Sequence, residues 1–183
     1  MKKLLVIISM LAIIPSAASA AGLDFQLGVN AMYNNILQDP REVVANTVVW
    51  DDFSYGIDAR LSLGILQISG LFLYEPGDST GSIPHGIPMF LDVGVKFDIA
   101  MFSLGVGIGP NMYFSIGGND VFDIGANLKL FADINLGRWT VSVSYYMMLN
   151  FDDWGDVSGT YTAAQQALAL MEGYIGVSVL YKF

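Results

Sequence analysis

Cysteine is absent from this chain of 183 residues, and only 14% of its residues are charged. The absence of cysteine excludes a disulfide framework and thiolate chemistry. Basic residues are also scarce, because 8 Lys and Arg against 17 Asp and Glu leave a net charge of −9. With no basic patch, nucleic acid is excluded as an expected partner, since its phosphates would be repelled. A typical soluble domain carries about 25% charged residues, so a water-soluble globule is not the expected class.

Long hydrophobic runs are missing after residue 20, although the mean hydropathy is +0.52. The first segment, 1–20, has Lys2 and Lys3 at its start, an apolar run over 4–14 and a small-residue A-x-A site at its end. This is the pattern of a secretory signal peptide, cleaved before Ala21. A transmembrane helix needs about 20 apolar residues, and no later stretch approaches that length. Helical membrane spans are therefore excluded.

Apolar residues instead recur at every second position. In the segment 122–134, for example, Leu128 and Leu130 fall on one face, while Asn127 and Lys129 fall on the other. A period of two is typical of a β-strand with one apolar and one polar face. The pattern predicts eight strands, at 24–33, 53–63, 66–75, 89–98, 102–113, 121–134, 139–150 and 172–183.

The links between these strands alternate between short and long. Short links are predicted at 64–65, 99–101 and 135–138, and longer ones at 34–52, 76–88, 114–120 and 151–171. Strands of about ten residues with tight turns at one end and longer loops at the other are typical of a transmembrane β-barrel. A closed barrel pairs every strand edge, as a bilayer requires. The predicted fold class is all-β, an eight-stranded antiparallel up-and-down transmembrane β-barrel in a single domain, 21–183.

A soluble, lipocalin-like barrel is the main alternative, because alternation alone does not say which face points inward. The polar face is built mostly of Gly, Ser, Asn and Asp, which suits a crowded eight-stranded interior better than a water-washed exterior. Aromatic residues also cluster near strand ends, as in interfacial girdles. They are Phe25, Tyr33, Phe53, Tyr55, Phe72, Tyr74, Phe97, Phe102, Trp139, Tyr181 and Phe183. These observations, with the terminal Phe183, favour the membrane barrel.

The signal peptide, the eight amphipathic strands and the terminal segment 179–183 (Val-Leu-Tyr-Lys-Phe) resemble those of small bacterial outer-membrane β-barrel proteins of the A, X and W types. The resemblance implies location in the outer membrane, with outer-membrane lipid as the surroundings. It also implies that Tyr181 and Phe183 form an assembly signal for the barrel-assembly machinery, with periplasmic chaperones as partners during biogenesis. No cofactor is implied.

Charged residues of the strands fall on the predicted inner face. The acids are Asp24, Asp58, Asp92, Asp98, Asp123, Asp133 and Glu172, and the bases are Arg60, Lys96, Lys129 and Lys182. Isolated charges in such a narrow interior would be costly, so an ion-pair network that fills the barrel is expected. Strands 1 and 8 must meet, which predicts that Asp24 lies close to Lys182. Because acids exceed bases, a narrow cation-favouring path is the functional alternative.

Pro110 lies within a glycine-rich strand, on the side predicted to face lipid. Proline removes a ladder donor and is rare in mid-sheet outside edges and bulges. One interpretation is a bulge or an early strand end. The other is a lateral opening in the wall that passes a small hydrophobic ligand, as the resemblance to W-type barrels implies.

The long loops 34–52 and 151–171 are acidic, but no calcium-binding loop spacing is present, and no metal site is predicted. The only histidine, His85, lies in a proline-flanked loop with Ser82 and Asp78 nearby, and no base-and-nucleophile pair lies on a strand. Catalysis is therefore not predicted. The expected function is structural, or the passage of small molecules, hydrophobic ones included. The alternative is a surface adhesin or binding barrel that acts through its long loops.

Overall fold

The computed structural model describes residues 23–33, 53–77, 85–116, 122–150 and 173–183. The predicted signal peptide, the loops 34–52 and 151–171, and Glu172 lie outside the described residues. No helix in the described ranges is long and apolar enough to cross a membrane.

Eight antiparallel strands form a closed barrel in which each strand pairs with its neighbours in the chain. They are β1 (Asp24–Tyr33), β2 (Phe53–Leu63), β3 (Leu66–Tyr74), β4 (His85–Ile99), β5 (Phe102–Ile116), β6 (Phe122–Leu136), β7 (Trp139–Asn150) and β8 (Gly173–Lys182). The barrel closes through the pairing of β1 with β8, which runs from Gln26 opposite Lys182 to Tyr33 opposite Ile175. The predicted all-β class, strand number and topology are confirmed.

Three tight turns lie at one end of the barrel, here called the turn end. They contain the residues with positive φ, which are Gly64 at 58°, Ala100 at 56° and Gly137 at 69°. Glycine adopts this left-handed conformation without steric cost, and it is the typical residue of two-residue hairpin turns. The opposite end, here called the loop end, is where β1, β3, β5 and β7 finish.

The outer face of the barrel is apolar throughout the described strands. Large side chains such as Val29, Ile108 and Val93 are about 60% exposed or more, and their inward-pointing neighbours are buried. In the described strands, no Asp, Glu, Lys or Arg occupies an outward position. Soluble monomers rarely expose apolar patches larger than a few hundred Å². This outer surface therefore fits a lipid environment and not water.

Two strands, β4 and β5, extend further towards the loop end than the sequence predicts. β4 begins at His85 instead of 89, and β5 ends at Ile116 instead of 113. The local preferences of Gly86 and Pro88 favour a loop, but both residues lie in β4. Gly86 exchanges two backbone hydrogen bonds with Glu75, at 2.9 and 3.0 Å. The tertiary pairing of the barrel overrides the local preference of these residues.

Pro110 lies inside β5 without a bulge. Its pairing with β6 is continuous, and Pro110 lies opposite Ala126. On the other side, the pairing of β4 with β5 omits Leu91 and Asp92 and then resumes in the same register. The predicted bulge or early strand end is therefore wrong. The chain accommodates the missing N–H by leaving two positions of one ladder unpaired.

Aromatic contacts gather at the two ends of the barrel. At the turn end, Tyr181 contacts Trp139 and Phe183 with ring centroids 5.1 and 5.2 Å apart. At the loop end, Phe114 contacts Phe122 at 4.9 Å, and Phe53 contacts Tyr33 at 5.1 Å. Two such groups at opposite ends of an apolar wall are typical of interfacial girdles.

Candidate functional site

The centre of the barrel lumen is organised around Arg60 of β2. Its Nη2 donates to Asp58 Oδ2 at 2.7 Å and to Ser142 Oγ at 2.8 Å, and its Nη1 donates to Asp133 Oδ1 at 3.0 Å. Asp58 also accepts a 2.7 Å hydrogen bond from Ser178 Oγ. Arg60 and Asp58 are almost completely buried. A planar guanidinium has five donors in a fixed fork, so it bridges carboxylates on opposite walls.

A second buried pair lies beside the first. Lys129 Nζ donates to Ser69 Oγ at 2.9 Å and lies 3.9 Å from Asp92 Oδ2. Asp92 also accepts hydrogen bonds from Asn127 and Ser69. The ring of Phe131 lies between the two cations, with Arg60 Cζ and Lys129 Nζ each 5.4 Å from its centroid. Two cations and three carboxylates thus share one interior cluster, here called the central cluster: Asp58, Arg60, Asp92, Lys129 and Asp133.

Two further predicted ion pairs lie at the turn end. Lys182 Nζ donates to Asp24 Oδ2 at 2.6 Å, as the closure of the barrel requires. Lys96 Nζ lies 3.5 Å from Asp98 Oδ1. Both of these pairs are at the rim, because the side chains of Asp24 and Asp98 are 42% and 56% exposed.

Asp123 does not belong to the ion-pair network, which corrects the sequence prediction. It points inward by alternation, but it lies at the loop end of β6, where it is exposed. Among the described residues it makes no ion pair. Its strand position is beyond the reach of Lys129 and Arg60, whose charges are already balanced by nearer carboxylates.

A layer of apolar side chains lies on the loop-end side of the central cluster. It consists of Met32, Leu71, Leu73, Phe90 and Tyr146, all of them buried. Phe90 and Tyr146 are in ring contact at 4.8 Å. The sequence signal for this layer is present, since Leu71 and Leu73 occupy inward positions that are otherwise polar in β3. Both leucines point into the lumen and belong to the apolar layer, so the alternation of β3 is not interrupted.

The lumen is closed at this depth in the described part of the barrel. Arg60, Lys129 and Tyr146 are at most 1% exposed, and the apolar layer covers them towards the loop end. An eight-stranded barrel is only wide enough to be filled by side chains. In the described part of the barrel, side chains therefore fill the lumen at this depth.

His85 stacks on Tyr74 at the loop end, with ring centroids 5.7 Å apart. Its Nδ1 accepts the Gly77 N–H at 2.9 Å and lies 2.8 Å from the Tyr74 hydroxyl. Ser82 and Asp78, its neighbours in the sequence, lie outside the described residues. Within the described ranges, no group of three or more His, Asp or Glu could hold a metal ion.

The fold of the described residues is similar to that of a solved β-barrel domain. No protein-family model and no curated protein matches the chain. The crystal structure of the N-terminal β-barrel domain of Pseudomonas aeruginosa OprF matches with a TM-score of 0.53 and 11% identity. The match covers 88% of this chain and 97% of that chain. At this identity the likeness establishes the shared eight-stranded barrel fold.

Proposed function

We propose that this protein is an integral outer-membrane barrel whose role is structural and which carries out no catalysis. The observation that carries the proposal is the combination of an uncharged apolar outer wall with a lumen sealed by paired charges. The apolar wall fits a lipid environment, and a lumen filled by paired side chains favours a structural role over the passage of polar solutes. The fold shared with the OprF barrel domain supports the same location.

The sealed lumen predicts that the purified protein does not conduct ions. After insertion into a planar lipid bilayer at neutral pH, we expect no single-channel steps above the leak of a protein-free bilayer. Heat-dependent mobility on a denaturing gel is the control that the inserted protein is folded. Regular single-channel steps whose number scales with the amount of folded protein would contradict the proposal. They would instead favour the narrow cation path that the sequence offers as an alternative.

Passage of small apolar molecules through the wall is the second candidate function. The supporting observation is the two unpaired positions on β4, Leu91 and Asp92, opposite Pro110 and Gly109. The strands remain in contact there, since a Cβ placed on Gly109 would lie 1.6 Å from the carbonyl oxygen of Leu91. An opening at Pro110 therefore requires β4 and β5 to separate, which the missing pairings make easier.

Pro110→Ala tests this passage. The substitution supplies an N–H towards β4, and one added hydrogen bond raises the free energy of unfolding by about 0.5–1 kcal/mol. If the wall opens there, uptake of an apolar fluorescent dye by expressing cells falls. Pro76→Ala, outside the strands, is the control. Equal uptake by the native protein and Pro110→Ala would rule out this route.

The aromatic residues at the end of β8 are the basis of a proposal about how the barrel is assembled in the membrane. Tyr181 and Phe183 lie on the outer side at the turn end, where Phe183 also contacts Phe25 at 5.7 Å. We propose that this aromatic end is read by the barrel-assembly machinery after passage with periplasmic chaperones. The alternative role as a surface adhesin depends on loops outside the described residues, and no contact of the barrel favours it.

A further inference from the structure

A cavity of about 180 Å³ opens on the loop-end side of the apolar layer. Its floor is formed by Met32, Phe90 and Met148. Phe90 is itself supported by Tyr146 beneath it. Because the apolar layer and the central cluster close the lumen below it, the cavity has no exit at its floor. It is here called the cup. A molecule that enters it can bind but cannot pass further along the barrel axis.

The charge of this cup is of one sign. Glu75 and Asp123 line it, and among the described residues no Lys, Arg or His does so. Asp123 is exposed and has no ion pair among the described residues. Glu75 is hydrogen-bonded to Tyr113, which places its carboxylate on the cavity wall. The nearest strand cations, Lys129 and Arg60, are buried in the central cluster and engaged by their own carboxylates.

Asn111 adds a polar group to the same wall. Its Nδ2 donates to Met148 Sδ at 3.0 Å, and the residue is 7% exposed. Its Oδ1 has no hydrogen-bond partner within the described part of the chain. A buried acceptor without a partner is costly, so this wall favours a ligand that brings a donor.

We infer that the cup is a binding site for a small organic cation, namely a protonated primary amine that carries an aromatic or short alkyl group. The apolar floor takes the hydrocarbon part, and methionine side chains adapt readily to such groups. The acids and the amide oxygen favour an ammonium group, and Tyr174, which also lines the cavity, is an aromatic residue of the kind that attracts cations. An engineered cavity of roughly 150 Å³ holds benzene, so a single ring fits.

The inference depends on the barrel fold and not on the proposed structural role. Phenethylamine is a suitable probe, titrated into protein labelled with ¹³C at its methionine methyl groups in detergent micelles. Met32 and Met148 report on the cup, and Met101, in a turn at the opposite end, reports on partitioning into the micelle. We expect saturable shifts at Met32 and Met148 and none at Met101.

Charge selectivity is tested with two further probes that keep the phenethyl group and change the charge of the polar end. Phenylethanol is neutral and phenylpropionate is an anion, so we expect weaker binding by the first and none by the second. Asp123→Asn removes one ion pair with the ligand at the solvent-exposed rim, and we expect it to lower the affinity for phenethylamine by roughly two- to fivefold. Glu75→Gln is the second variant if Asp123→Asn fails to fold. Asp24→Asn, at the turn end, is the matched control and leaves the affinity unchanged.

Three results would overturn the site. They are equal binding of the amine and the alcohol, parallel shifts at Met101, and an affinity that neither carboxylate variant alters. A barrel that conducts ions and still binds the amine refutes the structural proposal alone. A non-conducting barrel that does not bind the amine refutes this inference alone.

Discussion

Replacing Arg60 with alanine is expected to cost about 3–5 kcal/mol of the free energy of unfolding, the usual cost of removing one partner from a buried ion pair. The guanidinium contacts Asp58 and Asp133 at 2.7 and 3.0 Å with all three side chains shielded from solvent. Arg60→Ala leaves both carboxylates buried and without this cation. Urea unfolding of the protein in lipid vesicles, followed by tryptophan fluorescence, measures the change.

Lys182→Ala is the matched control, because it also removes one cation from an ion pair. The side chains of Lys182 and Asp24 are 40% and 42% exposed, so water solvates the carboxylate when its partner is lost. Exposed pairs contribute about 0–1 kcal/mol. If Arg60→Ala and Lys182→Ala destabilise the barrel equally, the central cluster does not hold the fold as argued.

A triple variant separates the charge penalty from the loss of packing. Arg60→Met with Asp58→Asn and Asp133→Asn keeps similar volumes and removes the charges of Arg60 and its two carboxylate partners, while the pair of Lys129 and Asp92 remains. Replacing a buried ion pair by neutral groups of similar size is often neutral or stabilising. We therefore expect this variant to be more stable than Arg60→Ala.

The strands and their faces could be predicted from the sequence, because a period of two is repeated in every strand and depends on local geometry alone. The contact between Asp24 and Lys182 could also be predicted, since any closed barrel must join its first and last strands. These features do not depend on the exact shape of the barrel.

The partners inside the lumen could not be predicted in the same way. Arg60 reaches Asp133 across the lumen, from β2 to β6, and that contact depends on the tilt and stagger of the strands. The loop-end limits of β4 and β5 were also missed. Pro88 carries a local signal against a strand, and pairing with the neighbouring β5 overrides it. The prediction that Asp123 joins the ion-pair network is wrong, because alternation gives the direction of a side chain but not its position along the barrel axis.

Gly105→Ala is expected to destabilise the barrel by about 1–3 kcal/mol, the usual range for overpacking a filled interior. A Cβ at this position would lie 2.2 Å from Phe131 Cζ and 2.6 Å from the backbone oxygen of Val95. The glycine thus leaves the space in which the Phe131 ring lies between Arg60 and Lys129. Urea unfolding in vesicles again measures the effect.

Gly70→Ala is the control, because Gly70 is also a strand glycine but points outward. Its Cβ would approach only the ring tip of Phe72 and a methyl of Leu91, at 3.3 and 3.4 Å, so we expect little change. Adding Phe131→Leu to Gly105→Ala should recover part of the loss, since it removes the ring but leaves the contact with Val95. Equal stability of Gly105→Ala and Gly70→Ala would contradict this packing. A partial recovery would show that the cost of a side chain at residue 105 comes in part from its contact with the Phe131 ring.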